Sequence, residues 1–181
     1  MTETPEAVLE FWFTELTPKD WFVKSESVDH RITERFANLH LALSRNISEE
    51  WRATPEARLA LVIVFDQFPR NIYRGSPMAF ATDGLALKEA KAALAVGADK
   101  SVAEDRRIFF YMPFEHAEDL GAQERSVALF EALGHETYLD YARRHHDVIA
   151  QYGRFPHRNP ILGRTSTAEE KAYLSEPGAG F

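Results

Sequence analysis

The sequence predicts an all-α fold, a single domain spanning residues 1–181 with about eight helices in antiparallel pairs. Three observations carry this expectation. Apolar residues recur at three- and four-residue intervals through most of the chain. The stretches with that rhythm open on Ser or Thr, often followed by Pro, and close on Gly or Pro. No stretch alternates with period two or carries a hairpin turn signal.

Each element follows from its own residues. Thr4-Pro5-Glu6 supplies an N-cap, a proline at the first helical position and an acid in the first turn. Val8, Leu9, Trp12, Phe13 and Leu16 then form one apolar face, which Pro18 ends, followed by a loop at Trp21-Phe22. A helix over 25–44 carries Val28, Ile32, Phe36, Leu39 and Leu43 as a stripe. Thr54-Pro55-Glu56 opens a third helix that runs to Phe68. Its centre, Leu59 to Phe65, is apolar all round and so belongs at the middle of the fold.

Ser76-Pro77 begins a short helix, and residues 83–96 form another that stops at Gly97. Ser101-Val102-Ala103-Glu104 fits a capping box whose helix stops before Pro113. If a helix restarts there, Glu115, Asp119 and Gln123 repeat along one face, with His116 beside them. Residues 126–133 continue a helical pattern closed by Gly134. Residues 136–152 follow, with Tyr138, Tyr141, His145, Val148, Ile149 and Tyr152 on one side and Gly153 at the end. Thr167-Ala168-Glu169-Glu170 caps a last short helix, through Leu174. No strict 34-residue repeat is visible, so the pattern alone does not define a repeat protein.

Composition excludes several functions. A hydrophobic fraction of 45%, with 13 Phe, marks a chain able to bury a core. A net charge of −7 argues against nucleic-acid and anionic-membrane partners, which need a basic footprint. With no cysteine, thiol chemistry and Cys-based metal sites are ruled out. The acidic start lacks a signal-peptide pattern, and Leu59 to Phe65 is too short to span a bilayer, so a cytoplasmic protein is expected.

Two motifs draw attention: Asp66-Gln67-Phe68-Pro69-Arg70-Asn71 and Arg154-Phe155-Pro156-His157-Arg158-Asn159. Proline restrains the residue before it and lacks an N–H, so both read as stiff helix exits. Facing one another, they would build an arginine-rich pocket. Guanidinium forks suit carboxylate or phosphate, which makes Arg70, Arg154 and Arg158, with Gln67, Asn71, His116 and Asn159, ligand-binding candidates. Arg74 and Arg164 extend the set.

Asp66 shares a face with buried side chains in the last turn of its helix. There the dipole disfavours its charge, so it wants a cation or a proton. Asp66, Glu115 and His157 are the candidate catalytic acid/base groups. His157 lies among arginines that would keep it neutral, whereas His145, on an apolar face, reads as an interior histidine. A metal site would need His116 and an acid plus ligands such as His145, Asp147 or Asp66. No HExxH or similar spacing supports one, so neither metal nor cofactor is expected. Nor is there a nucleophile elbow or a phosphate-loop glycine pattern.

Taken in order, Val-Leu-Glu-Phe-Trp-Phe (8–13), Asp-Gln-Phe-Pro-Arg-Asn (66–71), Tyr-Met-Pro-Phe-Glu-His-Ala-Glu-Asp (111–119), Gly-Arg-Phe-Pro-His-Arg-Asn (153–159) and the closing Gly-Phe resemble the family catalogued as domain of unknown function 924. The resemblance covers nearly the whole chain. It implies an all-α, tetratricopeptide-like fold and no particular activity. Three readings stand. The first is a small-anion site, with Arg70, Arg154 and Arg158 holding the ligand and an acid/base beside it. The second is a helical module for a peptide or protein C-terminus, a site the chain's own Phe181 would suit. The third is a purely structural polar network.

Overall fold

The computed structural model describes residues 3–180. Among them there is no strand, and the chain is helical throughout, as the periodicity requires. No helix among them is long and apolar enough to cross a membrane. The chain divides into two compact units. The first comprises residues 1–74 and 78–113, the second residues 75–77 and 114–181.

In the first unit, α1 (Pro5–Glu10) starts on the Thr4 cap and runs into a π-helical turn, Phe11–Glu15. That turn rotates both Phe11 and Trp12 inward, each 1% exposed. Pro18 does not simply end a helix. It opens α2 (Pro18–Phe22), capped reciprocally by Thr17 and Asp20, so the expected Trp21-Phe22 loop is a helical turn. The predicted stripe is realised in α3 (Glu26–Arg45), which buries Val28, Ile32, Phe36, Leu39 and Leu43.

The central helix is α4 (Pro55–Asp66), with Leu59 to Phe65 all at 0–1% exposure. It stops two residues earlier than expected. Gln67 is a junction, and the Phe68-Pro69 step opens a new helix, α5 (Phe68–Ile72), with the proline in its first turn. A proline there forfeits no helical hydrogen bond, so the same residue that stops one helix starts another. Phe68 packs against Phe11, Trp12 and Phe36, with ring centroids 6.4, 5.7 and 4.7 Å away.

Beyond α5 come α6 (Asp83–Ala95), α7 (Ala98–Ser101) and α8 (Ile108–Glu115). Gly97, at φ +71°, makes the break between α6 and α7. Pro113 lies inside α8, contrary to the expectation that the helix ends before it. The lost bond and ring clash cost about 3 kcal/mol. Against this, Phe109, Phe110, Tyr111, Met112 and Phe114 are all buried, each fully buried apolar side chain contributing about 1.5–3 kcal/mol. Burial wins.

The second unit holds α9 (Leu120–Leu133), α10 (Glu136–Tyr152) and α11 (Ala168–Leu174). Asp119 is the cap of α9, its carboxylate accepting from the Ala122 N–H. Glu115, Asp119 and Gln123 therefore do not share a helix face as expected. The buried side of α10 is Leu139, Ala142, His145, Val148 and Ile149; Tyr141, placed inward by the sequence pattern, is 45% exposed.

Candidate functional site

The first Phe-Pro motif sits in a polar network of the first unit. Gln67 Nε2 donates to Asp66 Oδ2 at 2.6 Å, and Arg70 Nη2 donates to Asp83 Oδ1 at 3.0 Å and reaches Asp66 Oδ1 at 3.5 Å. Asp66 is 1% exposed, so the cation it was expected to need is Arg70, one turn later. Asn71 and Arg74 are tied to Asp29: Asn71 Nδ2 donates at 2.8 Å, and Arg74 donates through two nitrogens at 2.6 and 2.7 Å. Those donors hold the Asp29 carboxyl below the usual range even though burial pushes it up. Neither Asp29 nor Asp83 stood out in the sequence, since each reads as an ordinary acid in a first helical turn.

The second motif is knotted to two carboxylates of the second unit. Glu170 accepts from Arg154 Nε and Nη2 at 2.6 and 2.8 Å, from Asn159 Nδ2 at 3.2 Å and from the Thr167 N–H at 2.8 Å. The Arg154 hydrogen bonds are the chief reason its pKa falls to about 2. Glu118 accepts from Arg164 Nη1 and Nη2 at 2.7 and 2.9 Å and from the Phe155 N–H at 2.7 Å. Its carboxyl is also held low, burial opposing these donors. In this arrangement the fork of Arg154 is already engaged, and Asn159, fully buried, bridges Glu170 and Arg164. The signal for Glu170 was the capping box, which suggested only a helix start.

A second polar centre gathers around the carbonyls at the end of α8. Gln123 Nε2 donates to the carbonyls of Glu115 and Ala117 at 2.6 and 2.8 Å, while Arg158 Nη2 donates to the carbonyl between them, that of His116, at 3.1 Å. The Arg158 guanidinium also lies 4.5 Å from the centroid of the Phe155 ring. Glu115 Oε1 stands 3.4 Å from His145 Nδ1, and the rings of His116 and His145 are 6.4 Å apart. His145 Nδ1 is also 2.8 Å from the Tyr141 carbonyl, which can only accept, so Nδ1 carries the proton and Nε2 the lone pair.

Burial pushes the His145 pKa down, helped by His116, Arg158 and His157, against the Tyr141 carbonyl, which favours the imidazolium. The outcome is a pKa lowered to about 3 and a neutral ring. His145 is an interior histidine, as the sequence reading has it, and it sits among these charged groups. His157 stands at the edge of the centre, its ring 5.6 Å from that of Phe155.

Two further polar groups lie on α9, one of them on the Gln123 that holds the carbonyls of this centre. Gln123 Oε1 and Ser126 Oγ are buried and have no hydrogen-bond partner among the described residues, although both residues are 0% exposed. They lie one turn apart on α9. An open cleft of about 330 Å³ elsewhere in this unit is lined by Gln151, Tyr152, Thr167, Glu169 and Glu170. Its carboxylates suit it poorly to an anion. Among the described residues no group of three or more metal-ligating side chains is arranged to hold a metal ion.

This fold and these motifs define a class of bacterial helical protein. The model of the bacterial family of unknown function DUF924 matches residues 8–178, and the chain belongs to that family. It is also similar to the solved structure of a protein of unknown function from Agrobacterium tumefaciens. The two share 43% identity with a TM-score of 0.90, covering 94% of this chain and 96% of that one. No curated protein matches the chain.

Proposed function

We propose that the second unit binds a small anion carrying a hydroxyl, a hydroxycarboxylate or a hydrogen phosphate, at the centre formed by Glu115, His116, Gln123, Ser126, His145 and Arg158. The observation behind this reading is the buried pair of Gln123 Oε1 and Ser126 Oγ. Each such group costs about 1–3 kcal/mol when left unsatisfied. Native proteins therefore keep few of them without a bound partner. Arg158 supplies positive charge at the same segment, one carbonyl from those that Gln123 holds. A ligand hydroxyl donating to Gln123 Oε1 would satisfy it, and the anionic end would face Arg158.

In this reading Arg154 and Asn159 are positioning residues, since Glu170 engages both. Arg70, Gln67 and Asn71 hold the first unit's carboxylates. Glu115, 3.4 Å from His145, is the group best supported as a proton carrier, with His157 beside it; Asp66 belongs to the other network. A helical peptide-binding module is a second reading, favoured by the seating of the chain's own tail described below.

Thermal melting against phosphates, hydroxycarboxylates, simple carboxylates and divalent metals tests the proposal. A ligand at about a hundred times its Kd adds roughly 2.7 kcal/mol, a rise of a few degrees. The expected result is a rise with one hydroxyl-bearing anion class that is lost in Arg158→Ala. A flat panel in a folded protein would leave Gln123 and Ser126 as part of a structural network.

A further inference from the structure

The last described residues do not trail away from the second unit. Glu176-Pro177-Gly178-Ala179 form a turn closed by the Ala179 N–H donating to the Glu176 carbonyl at 3.2 Å. Pro177 and Gly178 hold its central positions, and Gly178 has φ +80°. Proline followed by a left-handed glycine is the signature of a type II turn. Arg144 Nη2 donates to the Gly178 carbonyl at 3.2 Å, and the Gly180 N–H points at the Tyr173 hydroxyl, 3.5 Å away.

Gly180 is pressed onto His157. A Cβ at position 180 would lie 3.1 Å from the His157 Cβ and 3.6 Å from its Cγ, and its φ is +81°. Both glycines are therefore required, one by the turn and one by conformation and close approach. Tyr173 in turn packs against Tyr152, Val148, Ile149 and Phe155, so the receiving surface is anchored to the core of this unit.

We propose that Arg144, His157 and Tyr173 form a binding site for a Pro-Gly-x-Gly peptide segment, and that residues 176–180 are its resident, exchangeable occupant. Three features carry this. The hydrogen bonds to the Gly178 carbonyl and from the Gly180 N–H, at 3.2 and 3.5 Å, are at the long end of the range, so the segment can leave. The turn is pre-organised by Pro-Gly, so a free peptide of the same sequence pays little ordering cost on entering. The recognition uses backbone groups and the absence of a Cβ, so it is specific for glycine at the second contact point. The inference stands on the tail contacts alone and survives failure of the anion-binding reading. The expectation that Phe181 itself fills a site concerns a residue outside the described ones.

The test uses the full chain and a fluorescent peptide of residues 175–181. In the native protein the tethered tail competes at an effective concentration of about millimolar. In Gly180→Val the tail carries its own steric block while the receiving surface is intact. Fluorescence anisotropy should show the variant binding the peptide at least about tenfold more tightly than the native chain. Adding Arg144→Ala should erase the gain, and a peptide with valine at the second glycine should not bind. Gly178→Val with Gly180→Val removes the turn as well. Equal peptide affinity of the native chain and this folded double variant would overturn the proposal.

Discussion

Acidification is expected to destabilise the protein through His145 well before its carboxylates titrate. The folded pKa is about 3, against about 6.5 for an unfolded histidine. A histidine with a depressed folded pKa contributes fully above the unfolded value and loses that contribution as pH falls towards the folded one. The unfolded chain takes up a proton that the folded chain refuses. Between roughly pH 7.5 and pH 5 the loss is on the order of 2 kcal/mol, with a limiting slope of about 1.4 kcal/mol per pH unit. His40, lowered by burial, adds to the slope in the same direction. Glu170, Glu118 and Asp29, with lowered pKa values, are charged in both states across this window.

Urea unfolding at a series of pH values, comparing the native chain with His145→Asn, isolates the effect. The Asn amide can still donate to the Tyr141 carbonyl but does not titrate. The variant should lose most of the slope, retaining the part due to His40. An equally stable, or more stable, native chain at the lower pH would mean that Glu115, 3.4 Å away, holds His145 as an imidazolium, refuting the neutral ring.

Other outcomes follow from the same contacts. Glu170→Gln should lower the melting temperature and flatten the acid limb. The lowered pKa means that its contribution is present above the unfolded value near 4.5 and is lost as pH falls through about 2; melts across that range read both effects. Asp66→Ala deprives Gln67 and Arg70 of a shared buried acceptor and should cost on the order of 2–3 kcal/mol by chemical denaturation. Phe68→Ala should cost about 3–5 kcal/mol, since Phe68 is fully buried against three aromatic rings. Ser126→Ala should leave the ligand-free protein as stable or up to about 1 kcal/mol more so, because it removes a buried hydroxyl with no partner among the described residues.

The helices were legible where cap, stripe and stop agreed. Thr4, Thr54 and Thr167 cap as expected, and α10 has the predicted bounds. Three misses share a cause, which is that Pro18, Pro69 and Pro113 were read as terminators, unlike Pro5 and Pro55. Pro18 and Pro69 open helices, and Pro113 sits within one because aromatic burial outweighs its cost. Among the site residues, the arginines, Asp66 and Glu115 were visible as motifs. Their partners were not. Asp29, Asp83 and Glu170, acids of first helical turns, and Glu118, just before the α9 cap, lie up to 46 residues away in sequence. Pairings of that kind are set by tertiary packing, and one sequence records no trace of them. The burial of Gln123 Oε1 and Ser126 Oγ without a partner among the described residues is likewise set by packing, and the sequence shows Gln123 only by its spacing from Glu115.

The central claim, an anion seat at Arg158 beside His145, is tested most directly by following the His145 ring nitrogens by NMR while hydrogen phosphate and hydroxycarboxylates are added. The account predicts a saturable shift of these resonances with one anion class, absent in Arg158→Ala. Ring resonances unmoved by every anion, in a protein that remains folded, would contradict it.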